Sequence, residues 1–433
     1  MQTIFNSGHP NIDNSAEIFT AGALANFISA RLDFSSSYLS FSIEPYEMSQ
    51  IDVFDIDGVS GTYQMTNNHT DLESRKDFGF RQSKLSLHYK GIGFSYGNMS
   101  HWWGPGLHSS IALSSNAPSQ KTFSMGTFKD IKLGRFIFGS QVIVMPYTSA
   151  FDQEIFFSGL KAHFGYLSKL SETKIGFHRT YLSGNFKNLS SNTISTRSWS
   201  ILDAAQLVFE PLFGQSKKNL PYTEPGTPGF DAWDEILTAF VEINFFNQNL
   251  KVYADISSDD NRANFTDLRA HWDHTLGYLF GFNKISIFNG NKLMIGAEFL
   301  TTRISNTFNP YFYRGDPNKD NYYTKDAYDY FSYKNRRMGA HSGTSSDDLI
   351  FVIGYQQPNQ TIILTYNKER HGIKSMINTE LKNEKSISFY RIMSKNNTFF
   401  VSIERETIDN FGFVENATSV SNFLWTGFIY NLK

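Results

Sequence analysis

The side chains best suited to bind a ligand form a short aromatic turn, in which Trp102 and Trp103 run directly into Gly104, Pro105 and Gly106. An indole ring packs on the C–H face of a sugar, and its N–H group donates to a hydroxyl. The proline fixes the turn, and the glycines leave the backbone free around it. The turn therefore predicts either a carbohydrate platform or a rigid inward-folded loop, and the loop is favoured.

A second group of candidate binding side chains is rich in tyrosine and spans residues 309–334. Each tyrosine offers a flat ring and a hydroxyl, which suits contact with a glycan. The group consists of Tyr311, Tyr313, Tyr322, Tyr323, Tyr328, Tyr330 and Tyr333. A contribution to glycan binding is slightly favoured over a loop that packs only on itself.

A cationic group follows the tyrosines and contains Arg336, Arg337 and His341. The guanidinium of arginine can form two parallel hydrogen bonds with one carboxylate, so the group suits an acidic polysaccharide. Salt bridges to Asp347 and Asp348 are an equally favoured interpretation.

Two weaker candidates are polar residues whose structural roles are favoured. The amide of Asn116 suits a sugar hydroxyl, but an Asx-type turn before a proline is the favoured interpretation. Four aspartates could bind a hard cation, yet their spacing fits no calcium loop and favours a solvated acidic segment; they are Asp255, Asp259, Asp260 and Asp267. We therefore predict no metal site and no cofactor.

The sequence gives little support to catalysis or to nucleic-acid binding. It contains no His-Glu-x-x-His, Gly-x-Ser-x-Gly or phosphate-loop motif, and no spacing places two carboxylates across a cleft. The net charge of −2 leaves no basic surface for nucleic acid. We predict a protein that is not an enzyme.

Hydropathy alternates with period two, which is the signature of β-strands. The apolar positions of residues 28–43 change from even to odd near 35–37, which predicts a tight hairpin because a one-residue slip would reverse the faces. Similar short turns are predicted at 90–91, 134–135, 171–172 and 396–397. Long polar connections are predicted at 48–82, 185–199, 213–233, 257–272, 305–346 and 369–384. Helix signals are few, and residues 236–246 are predicted as a strand.

These elements predict an all-β protein, a transmembrane antiparallel β-barrel of about 18 strands (16–18). Short periplasmic turns would alternate with long extracellular loops, and inward-folded loops would fill part of the lumen. The 433 residues contain 16% aromatics, no cysteine and no apolar run long enough for a membrane helix. Aromatic residues expected at strand ends, as in membrane-interface girdles, are Trp199, Trp272, Tyr355, Tyr366, Trp425 and Tyr430. A soluble all-β protein is the alternative.

Residues 1–27 are predicted to lead into the first strand from the periplasm, and residues 28–433 to form one barrel domain.

Several segments together resemble the Wzi family of outer-membrane capsule-assembly proteins. The strongest is His101–Gly106 followed by Leu113–Pro118. The others are Phe5–Asn14, Glu44–Pro45, Leu160–Arg179, Val252–Asp255 with Asp259–Asp260, and Arg337–Gly343 with Asp347–Asp348. The resemblance implies an 18-stranded barrel in the outer membrane of a Gram-negative bacterium.

The resemblance also implies a lectin-like protein that anchors capsular or other surface polysaccharide to the cell without cleaving it. A porin or diffusion channel is the first alternative, and a subunit of an envelope secretion or motility complex is the second. Expected partners are the capsular or extracellular polysaccharide, outer-membrane lipid and polysaccharide-export machinery. The barrel is expected to be a monomer.

Overall fold

The computed structural model describes residues 1–8, 13–18, 22–53, 76–148, 154–184, 200–213, 233–259, 276–303, 331–334, 336–373 and 376–431. About two thirds of these residues lie in antiparallel strands. None of the helices in the described ranges is both long enough and apolar enough to cross a membrane.

The strands of the first third are short. They are β1 (Gln2–Asn6), β2 (Gly22–Ser29), β3 (Leu32–Ser35), β4 (Leu39–Ile43), β5 (Pro45–Val53), β6 (Lys76–Phe80), β7 (Ser83–Tyr89), β8 (Ile92–Met99), β9 (Gln120–Thr127) and β10 (Ile131–Leu133).

Most of the later strands are longer. They are β11 (Phe136–Thr148), β12 (Glu154–Leu167), β13 (Ser171–Gly184), β14 (Trp233–Phe245), β15 (Leu250–Asp259), β16 (Leu276–Phe288), β17 (Asn291–Thr301), β18 (Ser332–Tyr333), β19 (Arg336–Arg337), β20 (Asp347–Gln356), β21 (Gln360–His371), β22 (Glu380–Ile392), β23 (Asn397–Asp409) and β24 (Thr418–Tyr430). A helix α1 (Ile201–Phe213) and a 3-10 turn (Phe411–Phe413) complete the described elements.

Twenty-two of the segments form one sheet, and β1 closes it because it pairs with both β2 and β24. Four pairs of consecutive segments are halves of one interrupted strand: β2 with β3, β4 with β5, β6 with β7, and β9 with β10. Joining these four pairs reduces the 22 segments to 18 barrel strands. The predicted barrel of about 18 strands is therefore confirmed over the described residues. The predicted boundary at residue 27 falls inside β2, and β1 is itself a barrel strand.

One end of the barrel carries the tight turns. The hairpin after β3 and the turns at 90–91 and 134–135 lie where the sequence predicts them, and Lys90, Gly91 and Gly134 adopt the positive φ that such turns require. The turns predicted at 171–172 and 396–397 lie slightly earlier, at 168–170 and 394–396. The strand predicted over residues 236–246 is β14. All six long connections include residues outside the described ranges.

The aromatics predicted at strand ends divide into three groups. Tyr355 and Tyr430 lie in the last two residues of β20 and β24. Tyr366 and Trp425 lie inside β21 and β24, so the strand-end prediction is wrong for them. Trp199 and Trp272 lie outside the described residues.

The two faces of the wall separate cleanly. On β11 and β12, Ile143 and Phe157 pack into an interior cluster with Trp103, whereas their neighbours Val144 and Phe156 pack against α1. Successive strand side chains point to opposite faces. Helix α1, which the sequence did not predict, therefore lies against the outer surface of β11–β13.

The lumen is filled by three inward-folded segments, residues 13–18, 100–119 and 331–346 except 335, which we call the plug. Its apolar centre contains Trp103, Ile111, Leu113 and Met338, all almost fully buried. These residues pack on lumen-facing side chains of the long strands. The predicted filling of the lumen by inward-folded loops is thus present in the described part of the chain.

Candidate functional site

The aromatic turn lies at the centre of the plug. The side chain of Trp103 is 1% exposed, and its ring lies against the wall where the backbone is Gly159. A Cβ at Gly159 would come within 2.8 Å of that ring, so the wall is recessed to receive it. The amide of Trp103 donates to Leu113 O at 2.8 Å, and Ser110 Oγ donates to Trp103 O. Trp103 is therefore a packing residue, as the favoured interpretation of the turn predicted, whereas Trp102 is only half-buried.

The backbone after the turn wraps around one carboxylate of the wall. The side chain of Glu298 on β17 accepts from the amides of Leu107, His108 and Ser109, the last at 2.6 Å. Tyr253 Oη donates to the same carboxylate at 2.7 Å. Converging backbone amides form a concavity that binds an anion. Gly106 is required here because a Cβ would lie 2.0 Å from Ser109 O.

The two neighbouring turn residues also contact the wall. Lys251 Nζ donates to Pro105 O at 2.9 Å. A Cβ on Gly104, whose φ is +146°, would meet Asp255 Oδ2 and Ser110 Oγ at 3.1 Å each. All three residues of the Gly-Pro-Gly motif thus serve to seat the plug.

Asn116 joins all three segments of the plug. Its Nδ2 donates to Arg337 O at 2.9 Å, and its Oδ1 accepts from the Asn14 amide at 3.0 Å. The side chain is fully buried. The interpretation of Asn116 as a sugar ligand is therefore not supported, because its amide is engaged within the plug.

The predicted cationic group is buried. Arg336 donates to Ala16 O at 2.9 Å and to Ser15 Oγ at 3.0 Å, and its burial lowers its pKa to about 10. Arg337 lies under Gly343, where a Cβ would approach its guanidinium within 2.8 Å. Neither arginine is exposed as a contact surface for an acidic polysaccharide requires.

His341 is buried with them and has the ion-pair partner that the sequence predicted. Its Nε2 lies 3.3 Å from Asp348 and 3.6 Å from Glu369. Burial disfavours the charged imidazolium, but the two carboxylates outweigh it and raise the pKa of His341 to about 9. Asp347, in contrast, pairs with Arg303 and Arg370 instead of the predicted group.

The predicted acidic segment is also buried where it is described. Asp255 and Asp259 lie on β15 with exposures of 0% and 4%, so the interpretation as a solvated loop is wrong for these two. Asp260 and Asp267 lie outside the described residues. So do six of the predicted tyrosines: Tyr311, Tyr313, Tyr322, Tyr323, Tyr328 and Tyr330.

Tyr333, the remaining predicted tyrosine, lines a cleft in a notch of the wall. Strand β8 leaves the wall after Met99, and the chain returns at Gln120, to which Met99 is paired. Among the described strands, β6 pairs only with β5, and β9 reaches β11 only at Gln141–Val144. The upper ends of β6 and β11 therefore flank a gap at the long-loop end.

The cleft in this gap has a volume of about 670 Å³ and an aromatic, polar lining. Tyr333 meets Tyr147 edge to face, with ring centroids 5.5 Å apart, and Tyr46 Oη lies 3.5 Å from Asp77 Oδ2. The complete lining is Glu17, Tyr46, Asp77, Phe78, Gly79, Phe80, Asn98, Pro118, Ser119, Gln120, Lys121, Pro146, Tyr147, Thr148, Glu154, Tyr333 and Lys334. Sequence reasoning missed Tyr46 and Tyr147 because the cleft is assembled from strand ends far apart in the chain.

Comparison with known proteins places the fold. Residues 29–190 match the family model described as "Capsule assembly protein Wzi". A solved structure of Wzi from Escherichia coli, titled as an outer membrane protein involved in group 1 capsule assembly and a carbohydrate binding beta-barrel, is 10% identical. The match covers 100% of this chain and 84% of that one with a TM-score of 0.63. No curated protein matches in sequence.

Porins match less well in structure. A BenF-like porin from Pseudomonas fluorescens Pf-5 is 10% identical, with coverage of 99% and 97% and a TM-score of 0.46. OprD from Pseudomonas aeruginosa is 7% identical, with coverage of 100% and 92% and a TM-score of 0.43. The family model and the Wzi structure confirm the predicted family resemblance and the predicted fold, an outer-membrane β-barrel.

Proposed function

We propose that this chain, whose residues 29–190 belong to the Wzi capsule assembly family, is a lectin-like barrel that anchors capsular or other surface polysaccharide to the outer membrane. It does so without catalysis. The observation that carries the proposal is the tyrosine-lined cleft at the long-loop end, since this end of an outer-membrane barrel faces the outside of the cell.

The chemistry of the cleft suits a glycan. Three half-buried tyrosines, Tyr46, Tyr147 and Tyr333, supply ring faces for sugar C–H groups. Negatively charged carboxylates and positively charged ammonium groups both line the cleft. A polymer repeats its binding unit, so weak contacts at each sugar add through avidity when several anchors hold one chain.

Trp102 and the six tyrosines of residues 311–330 belong to the same proposal as further glycan contacts. Trp103, Asn116, Arg336, Arg337 and His341 take a different part in it. They hold the plug in place, and the plug supplies Tyr333 to the cleft.

The filled lumen favours an anchor over a diffusion channel. Apolar packing around Trp103 and the backbone amides around Glu298 occupy part of the lumen that a porin leaves to water. Planar-bilayer conductance separates the two functions, since a steady open-channel current from the purified chain would favour the porin.

The proposal is tested by binding of the purified chain to capsular polysaccharide from its own strain. We expect Tyr147→Ala with Tyr333→Ala to weaken binding by at least about tenfold, since each lost ring contact is worth on the order of 1 kcal/mol. Tyr89→Ala is the matched control, because Tyr89 is exposed at the opposite, tight-turn end. Equal binding by the folded double variant and the control would contradict the cleft assignment.

A cellular test addresses the anchoring itself. Deletion of the gene should release capsule into the medium while synthesis continues. Capsule that stays attached to the deleted strain would refute anchoring, whatever the cleft binds.

A further inference from the structure

Two histidines of the plug meet a carboxylate of the wall at one point. His108 and His341 come from different plug segments, and the centroids of their rings are 4.6 Å apart at 78°. Oδ2 of Asp348 on β20 lies 3.5 Å from His108 Nε2 and 3.3 Å from His341 Nε2. One ligand atom of each residue lies within 4.8 Å of the other two.

The two nitrogen–oxygen separations match those of a tetrahedral metal site. Tetrahedral ligands bound at 2.0–2.2 Å are about 3.3–3.5 Å from one another. Both measured nitrogen–oxygen separations fall in that interval. Two imidazoles with one carboxylate form a donor set that suits zinc-class transition metals, whereas calcium and magnesium prefer all-oxygen sites.

An independent observation is the set of buried polar atoms around this point. Asp348 is 2% exposed, and neither of its carboxylate oxygens accepts a hydrogen bond from the described residues. The amide oxygen of Asn367, 3% exposed, also accepts none there, while its Nδ2 lies 3.3 Å from His108 Nε2. Buried acceptors are ordinarily satisfied, whereas the Asp348 carboxylate meets only the two imidazoles among the described residues.

Two amides lie beside the site. Asn367 Nδ2 lies 3.3 Å from His108 Nε2 and donates to Glu369 at 3.0 Å and to Glu384 at 3.2 Å. Asn14 Nδ2 donates to His108 O at 2.9 Å and lies 3.0 Å from His341 Nδ1. A water molecule would occupy the fourth position, as in zinc sites with three protein ligands.

We propose that His108, His341 and Asp348 bind a divalent transition metal of the zinc class, which fastens both plug segments to the barrel wall. The three residues come from the plug segments 100–119 and 331–346 and from β20 of the wall.

The test is metal binding by the full chain in detergent after removal of metal with a chelator. We expect one equivalent of Zn²⁺ by calorimetry and a tetrahedral Co²⁺ spectrum. Mutation of a residue that only supports a metal ligand lowers metal affinity roughly 10–100-fold, so loss of a ligand itself should lower it further. His108→Ala, His341→Ala and Asp348→Asn should therefore each weaken Zn²⁺ binding by at least about a hundredfold.

The matched control is His163→Ala. His163 also pairs with a carboxylate, Asp130 at 3.1 Å, but near the tight turns and away from the junction. Heat-dependent gel mobility verifies that each variant is folded. X-ray absorption of the zinc-loaded wild type should show two imidazole ligands, a measurement that does not depend on any variant. A wild type that takes up no stoichiometric metal, a spectrum without imidazole, or folded variants that bind like the control would each overturn the site.

Discussion

The first third of the barrel wall and the remaining two thirds are built differently. From β11 to β24 the barrel strands run 10–14 residues in continuous antiparallel register. From β2 to β10 four strands are interrupted, and β8 leaves the wall to form the central plug segment. The regular region forms a continuous wall and contributes the plug segment 331–346, whereas the irregular region contributes the plug segments 13–18 and 100–119 and the gap in the wall. The family match at 29–190 covers most of the irregular region and extends past the end of β13.

The largest effect should come from the contact that joins the two regions. Trp103→Ala removes the ring that packs from the irregular region onto Gly159 of the regular one. We expect a loss of about 3–5 kcal/mol in plug stability, since that is the usual cost of a buried large-to-small change. Bilayer conductance should rise as the plug loosens. Trp425→Ala on β24 is the control, and equal conductance of the two variants would contradict a plug held by Trp103.

Steric crowding at the turn should have the next largest effect. Gly106→Ala places a Cβ 2.0 Å from Ser109 O, a backbone atom that shifts only if the amides around Glu298 shift too. We expect about 3 kcal/mol of destabilisation, at the upper end of overpacking costs. At Gly354 in the regular wall the nearest atom is the flexible end of Met294, at 3.1 Å. Gly354→Ala should therefore cost less than about 1 kcal/mol. The unfolding free energy of both variants is measured by urea titration.

A smaller effect should follow from neutralising the carboxylate that the plug wraps. Glu298→Gln keeps the shape but replaces charge-assisted hydrogen bonds from three amides with weaker ones. A hydrogen bond to a charged group is worth about 1.5–3 kcal/mol, so we expect a loss of about 2 kcal/mol. The readout is the rate of protease cleavage within residues 100–119. Glu172→Gln, beside Lys174 near the tight turns, should leave that rate unchanged.

The two regions also differ in how far they could be predicted from sequence. Strand alternation depends on neighbouring residues, so the barrel, its approximate strand number and the turns at 90–91 and 134–135 followed from the chain itself. Arg336 and His341 are buried by segments distant in the chain. Their local sequence is polar and predicts an exposed loop, so their burial could not be predicted. The same reason hid the junction of His108, His341 and Asp348, whose members are separated by up to 240 positions. Helix α1 escaped prediction because its apolar face packs on the outside of a wall.

The smallest effect should come from an exposed ion pair inside the irregular region. Arg31 forms a bidentate contact with Asp33 at the interruption between β2 and β3, with side chains 50% and 58% exposed. Exposed pairs contribute about 0–1 kcal/mol, so Arg31→Ala should change the unfolding free energy by less than about 1 kcal/mol. If it matched Gly106→Ala, the interruptions themselves would hold the region together. A small change in the unfolding free energy would instead indicate that the irregular region is stabilised mainly by its contacts with the regular wall.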